Sequence, residues 1–162
     1  MIKRTTLCYI EHDGAYLLLH RVKKKNDVNE GKWVGIGGHF LDGEDADGCL
    51  LREVREETGI SLTDYRFAGK IRFEAPPWPN EVMYLYHASV AERVAPPECD
   101  EGVLAWVDKE RALSLPMWEG DRVFFELMEK GGAPFSLLLR YEGDTLVESR
   151  LGGEELFLDE EA

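Results

Sequence analysis

Only three cysteines occur in 162 residues, Cys8, Cys49 and Cys99, and no two of them stand in a CxxC spacing. An odd number so dispersed argues against a disulfide framework and a thiolate zinc site, and for a reducing compartment such as the cytoplasm. The three read as small buried hydrophobes. Basic residues are also scarce: 19 Lys and Arg stand against 32 Asp and Glu, a net charge of −13. Duplex nucleic acid and anionic membrane surfaces, which reward clustered cations, are therefore poor partners. An anionic small molecule stays possible if a bound divalent cation reverses the local sign. No apolar run approaches the roughly 20 residues of a membrane span. The start, MIKRTTLCYIEHDG, meets Glu11, His12 and Asp13 before an apolar core forms, so it does not read as a signal peptide. There is no internal repeat, low-complexity tract or long linker. Nor is there a GxSxG, a P-loop or a catalytic Cys/His pairing, and His12, His20 and His87 lack metal-ligand spacing.

The length fits one domain with a real core, and 44% hydrophobic with 31% charged residues fits a globular chain. Alternating segments at 5–11 and 16–22 flank His12-Asp13-Gly14-Ala15 and predict a hairpin. KKKNDVNEGK is polar and aperiodic, a loop. GKWVGIGGHF carries Gly31, Gly35, Gly37 and Gly38, a strand end that other groups can approach closely. A helix is predicted over 46–58, capped by Asp45 or Asp47 and closed by Gly59. Strands follow at 65–74 and 82–90, around the rigid loop APPWPNE, with a short one at 103–107. Asp108 is read as the cap of KERALS and Asp121 as the cap of RVFFELMEK, which Gly131-Gly132 stops. A last hairpin joins 135–141 to 145–151. Beyond it, residues 152–162 form an acidic tail, partly ordered through Leu156, Phe157 and Leu158. This pattern is mixed α/β with mostly antiparallel connections, without the evenly alternating βαβ units of a doubly wound sheet.

On a helical wheel Leu50, Leu51, Val54 and Thr58 share one arc, and Glu53, Glu56 and Glu57 share the next. Arg52 can hold Glu56 at i,i+4, but crowded carboxylates cost a few tenths of a kcal/mol each. A solvated face would interleave lysine. Hard cations remove the repulsion, and Mg²⁺ binds through carboxylates and substrate phosphates.

These residues resemble a known family. Gly38, Glu44, Arg52, Glu53, Val54, Glu56, Glu57, Gly59 and Ile60 fit the Nudix box, G-x5-E-x7-R-E-U-x-E-E-x-G-U with U bulky and apolar, over residues 38–60. At average residue usage such a match arises by chance about 10⁻⁹ times per starting position. The resemblance implies a Nudix fold, an α/β/α sandwich around a central mixed sheet, as a single domain over residues 1–151. It implies metal-assisted attack of water on a phosphorus of a nucleoside diphosphate linked to another group. Glu53, Glu56 and Glu57 would bind Mg²⁺, with Mn²⁺ a possible substitute, joined by the Gly37 carbonyl. Arg52 would orient the glutamates, and Gly38 and Gly59 would set the loop conformations.

Outside the box, NDVNEGKWVGIGGHF, CDEGVLAWV, PMWEGDRVFFELM and FSLLLRYEGDTLVES are similar to Nudix enzymes that cleave oxidised purine nucleoside triphosphates, such as 8-oxo-dGTP, to the monophosphate and pyrophosphate. That similarity implies Glu101 as a further metal-binding acid, with either Glu53 or Glu101 as the base. It implies a base pocket from Trp118, Asp121, Phe73 and Met83. Arg21, Lys23 and His39 are candidate phosphate contacts. The chain resembles the bacterial, MutT-like members of that branch most and the animal ones more distantly. The animal enzymes have Asn in place of Val34 and adjacent aspartates in place of Gly120-Asp121, and relatives usually carry Lys in place of His39. Val34 cannot hydrogen-bond a purine edge through its side chain, so recognition would rest on Asp121, backbone groups and stacking. The expected partner is a nucleoside triphosphate, bound by a monomer or a homodimer. Another nucleoside diphosphate-linked substrate (a normal triphosphate, ADP-ribose, a dinucleotide) and a non-catalytic nucleotide-binding regulator are the alternatives.

Overall fold

The computed structural model describes residues 2–160 except 24, 26 and 28. Parts of the polar loop and the end of the tail thus lie outside the described residues. β1 (Lys3–His12) is the strand on which the rest is hung. It runs parallel to β6 (Glu81–Ser89) along its whole length, from Lys3 opposite Glu81 to Glu11 opposite Ser89. Its other edge is divided. The first half pairs with β4 (Ile36–His39), the second with β2 (Ala15–His20). β2 carries the short β3 (Trp33–Val34) and also pairs with β7 (Val103–Asp108). Beyond β6 come β5 (Asp64–Glu74), β8 (Phe135–Glu142) and β9 (Thr145–Gly152). Most pairings are antiparallel, as the short hairpin turns predict. The two parallel ones, β1 with β6 and β5 with β8, make the sheet mixed.

Alternation along the strands sends side chains to two layers. Cys8, Ile10, Leu17, Leu19 and Ile36 meet Leu50 and Val54 of α1 (Ala46–Thr58). Tyr9, Tyr16, Ile71, Leu85 and Leu137 meet Phe124, Phe125 and Met128 of α3 (Glu119–Lys130). The short α2 (Lys109–Ala112) lies on that same side through Ala112. The result is an α/β/α sandwich. Among the described residues no helix is long and apolar enough to cross a membrane.

Several local expectations change. Asp45 is the cap of α1, accepting from Gly48 N–H at 2.7 Å, while Asp47 accepts from the Tyr86 hydroxyl. Leu51, placed on the apolar arc by periodicity, is exposed, because the packed stripe is only Cys49, Leu50, Val54 and Thr58 wide. Asp108 stands at the cap position of α2 but makes no side-chain cap bond. Asp121 is not a cap: α3 begins at Glu119 after Trp118, and Asp121 lies buried in its first turn. Gly59 does close α1, in the left-handed conformation that glycine adopts without a Cβ penalty.

The acidic tail is docked. A 3₁₀ turn (Glu154–Phe157) buries Leu156 and Phe157 against Val82 and Leu138, while Leu158, expected to help order the tail, is exposed. Arg72 grips Asp159 with two bonds, at 2.6 and 2.9 Å. Glu160 accepts from Lys70 and Tyr84, both at 2.5 Å. Burial opposes ionisation of Glu160, but the Lys70 and Tyr84 hydrogen bonds outweigh it and hold its carboxyl below the usual range. The Arg72 hydrogen bonds do the same for Asp159. With folded-state pKa values below the unfolded ones, this stabilisation is complete above about pH 4 and is lost as pH falls through the depressed values. Phe157→Ala is expected to lower the unfolding free energy by about 3 kcal/mol, read by denaturant titration. Lys70→Met should remove the Glu160 share of the stability lost on acidification and leave the Asp159 share, held by Arg72.

Candidate active site

Where β1 changes partner from β4 to β2, the sheet opens beside the last turn of α1, which contributes Glu57, and a cavity of about 640 Å³ lies there. That volume lies within the range for small-molecule sites. Two charged clusters share it, one around Glu57 and one around Asp121.

The Glu57 cluster begins with the loop into α1. Gly37 cannot carry a Cβ, which would collide with the Thr6 carbonyl, and a Cβ on Gly38 would stand 2.5 Å from the Glu53 carboxylate. Two glycines therefore bring this backbone against β1 and the helix at once. Arg52 then binds the segment together. Its guanidinium meets both oxygens of Glu44 (2.7 and 2.9 Å), Glu53 (2.9 Å), Glu56 (3.1 Å) and the His39 carbonyl (3.0 Å). The hydrogen bonds from Arg52 pull the Glu44 carboxyl down to about 2. Glu44 fits the box but had no assigned role; its part is to hold the orienting arginine.

Arg52 does not reach Glu57. Glu57 Oε2 is buried without a hydrogen-bond partner, an uncommon state for a carboxylate oxygen. Burial pushes its pKa up to about 8, and the charges of Glu53 and Glu101 push the same way, against a Gly37 N–H and Arg21. Glu101 lines the same cavity, with Arg21 Nη1 at 3.2 Å from its Oε2 and Asp27 bonded to the Arg21 Nε at 2.8 Å. Among the described residues no three His, Cys, Asp or Glu side chains already stand as a closed metal cage. The donor set fits a hard cation nonetheless: an orphaned carboxylate oxygen, neighbouring acids that raise its pKa and a nearby glycine backbone are what such an ion would satisfy. Glu57, Glu101 and Gly37 face the cavity, whereas Glu53 and Glu56 are held at its flank by Arg52, Glu56 mostly exposed.

The second cluster is apolar with one acid. Phe73, Met83, Phe124 and Trp118 line it, and Asp121 projects among them, whereas Val34 lines the cavity from the side that packs on α1. Burial raises the Asp121 carboxyl to about 7, aided by Glu81 and opposed by Lys32 and Arg122. Trp118 is fixed on several sides: its N–H donates to Asn29 Oδ1 at 2.8 Å, Tyr141 meets its edge, and Lys32 Nζ sits 4.3 Å from its ring centre. Gly120 is a packing requirement, since a Cβ there would stand 2.5 Å from the Tyr141 hydroxyl that accepts its N–H.

Of the candidates, Arg21, Val34, Gly37, His39, Glu57, Phe73, Met83, Glu101, Trp118 and Asp121 line one cavity. Lys23 does not; its ammonium donates to the Cys99 carbonyl at 2.8 Å. Asp27, Asn29, Glu81 and Tyr141 were not singled out by sequence. Asp27 and Asn29 lie in the loop dismissed as polar and aperiodic, where the only signal was that acids and amides on loops often serve a site.

Glu57 yields a direct test. Its folded pKa lies above the unfolded value, so stability falls as pH rises from about 4.5 towards 8, where the native state resists ionisation. Glu57→Gln is expected to raise the thermal midpoint of the metal-free protein at pH 8 by about 3–6 °C, and to change it far less at pH 5. Millimolar Mg²⁺ should raise the wild-type midpoint at pH 8 and leave that of the variant nearly unchanged.

Comparison with known proteins agrees with this geometry. The NUDIX domain family model matches residues 1–128. The oxidized purine nucleoside triphosphate hydrolase of Danio rerio is 31% identical over 152 residues, covering 92% of this chain and 94% of that protein. The uncharacterized Nudix hydrolase YvcI of Bacillus subtilis is 31% identical over 134 residues, 80% of this chain and 81% of its own length. The MutT protein of Bacillus halodurans superposes with a TM-score of 0.78 at 26% identity, covering 92% and 97% of the two chains. The chain belongs to the Nudix hydrolases, a family that acts on phosphate anhydride bonds of nucleotides and generally uses divalent metal ions.

Proposed function

We propose that this enzyme is a Mg²⁺-dependent pyrophosphohydrolase that converts purine nucleoside triphosphates, oxidised forms such as 8-oxo-dGTP among them, to the monophosphate and pyrophosphate, clearing the cytoplasmic nucleotide pool. The observation that carries this reading is the pairing, in one cavity, of an acid with an orphaned oxygen (Glu57) and a buried acid between aromatic walls (Asp121). The Danio rerio relative, an oxidized purine nucleoside triphosphate hydrolase, points the same way.

In this reading the base lies against Phe73, Met83 and Trp118 with its polar edge on Asp121, and the triphosphate extends towards Glu57 and Glu101. Glu53, Glu56, Glu57, Glu101 and the Gly37 carbonyl would hold Mg²⁺, which when bound supplies charge neutralisation and polarises the phosphate under attack. Arg52 sets the rotamers of Glu53 and Glu56 by the bonds described above. Glu101 accepts the proton of the attacking water; it faces the cavity, and Arg21 fixes its position. Phosphoryl chemistry asks mainly for positioning and charge, which these groups provide without a covalent nucleophile.

Val34 leaves base discrimination to Asp121. With a pKa near 7 its carboxyl donates a hydrogen bond below neutrality and only accepts above it. The ratio of kcat/KM for 8-oxo-dGTP to that for dGTP is expected to change several-fold between pH 6 and 8, and to stay flat in Asp121→Asn. Asp121→Ala should cost about 10- to 100-fold in kcat/KM for the preferred nucleotide.

The substrate class is tested by kcat/KM with Mg²⁺ for 8-oxo-dGTP, 2-oxo-dATP, dGTP, ADP-ribose and a diadenosine polyphosphate. The oxidised purines are expected to lead, with pyrophosphate released. A preference for dGTP over its 8-oxo form, or for ADP-ribose or the dinucleotide, would replace the proposed substrate. Absence of turnover on all five would point to a binding module.

A further inference from the structure

Four tryptophans occur in the chain, and three have partners for their rings. Trp33 stacks on His20, Trp106 lies under Arg93, and Trp118 is held by Tyr141 and Lys32. Among the described residues the Trp78 ring has no aromatic or cationic partner, and the residue is 63% exposed. Yet Trp78 lines the same cavity as Phe73 and Met83, on the loop that joins the strands bearing those two residues.

That loop is built to hold a shape. Pro76, Pro77 and Pro79 fix three backbone φ angles around Trp78. Trp78 N–H closes a turn onto the Ala75 carbonyl at 2.9 Å. The far side is tied to β1, where Lys3 N–H donates to the Asn80 carbonyl at 3.0 Å and the Thr5 hydroxyl donates to Glu81 at 2.8 Å. A large apolar side chain is thus kept in water on a loop with little freedom to bury it elsewhere. Such preorganisation lowers the entropic cost of binding, and an indole has only two side-chain torsions to freeze. Among the described aromatic residues that line the cavity, Phe73, Trp118, Phe124 and Tyr141 each have a ring partner, whereas Trp78 has neither a ring nor a cation partner.

We propose that Trp78 is a substrate-binding residue: its indole stacks on the outer face of the nucleobase, closing the pocket that Phe73, Met83 and Trp118 form from within. This rests on the reading that the cavity takes a nucleotide. Overlap of two flat ring systems favours a purine over a pyrimidine, so Trp78 contributes to selection by ring size while Asp121 reads the polar edge.

The test is calorimetric titration of the full-length protein with dGMP, 8-oxo-dGMP, dAMP, dCMP and, with Mg²⁺, pyrophosphate. Trp78→Ala is expected to weaken the purine monophosphates about tenfold or more, the scale of a lost base-stacking aromatic, and dCMP less. Pyrophosphate affinity should be unchanged, and Trp78→Phe should recover most of the purine affinity. Unchanged purine affinity in Trp78→Ala overturns the stacking role. A parallel loss for pyrophosphate also overturns it, because the side chain would then only support the loop. If the wild-type protein binds pyrophosphate but none of the monophosphates, the nucleotide reading itself fails and Trp78 with it.

Discussion

One guanidinium ties together three of the acids gathered at the helix, although its single charge offsets only one of theirs. Arg52 meets Glu44, Glu53 and Glu56 and a loop carbonyl, spending its donor fork on three acids at once. The helix is therefore tolerable without a metal, and the loop before it is locked to it. The one acid beyond Arg52's reach is Glu57, which sits deeper and faces the cavity with an oxygen unbonded. Hydrogen bonds from one cation tie the outer acids together, and none from that cation reaches the inner one. A buried, unmatched carboxylate is costly in an empty site, and that cost is what a divalent cation relieves. Relief of that cost would be one contribution to the affinity of the proposed ion site.

The sheet supplies the room. Because β1 exchanges β4 for β2 along one edge while β6 runs unbroken along the other, the sheet stays continuous at its centre and opens on one side. The gap receives the glycine-rich strand end from the α1 side and the start of α3 from the other, so both charged clusters meet across a single layer of strands. Tyr9 shows how tightly this is arranged: its ring meets those of Phe124 and Phe125, its hydroxyl is buried without a partner, and burial, aided by the charge of Asp121, raises its pKa. The catalytic end stays half open, whereas the core under α3 is closed.

Much of this was legible before any coordinates. The box spacing identified the family, Gly59 marked the end of α1, and the alternation at 65–74 and 82–90 located the two central strands within a residue or two. Local rules failed where tertiary contacts overrode them. Asp121 has the composition of a cap, but a cap faces water, and this one lies in a pocket that forms only when α3 meets β8. Leu158 continues an apolar run, yet a 3₁₀ turn alternates sides faster than that run assumes, so only Leu156 and Phe157 reach the sheet. Lys23 resembles a phosphate ligand by position, but a carbonyl 76 residues away holds it. No spacing in the sequence could show that pairing, nor that Asp27 and Asn29 brace Arg21 and Trp118.

Gly120 carries a consequence for substitution. Its N–H is bonded to the Tyr141 hydroxyl, and the Leu139 side chain stands 2.7 Å from where a Cβ would be. A side chain at position 120 therefore requires Tyr141 and Leu139 to shift with it. Tyr141 in turn braces Trp118, so that shift reaches the pocket. Position 34, which lines the cavity from a short, half-buried strand, is the more open path. A substitution at position 34 leaves the contacts among Gly120, Tyr141 and Trp118 untouched.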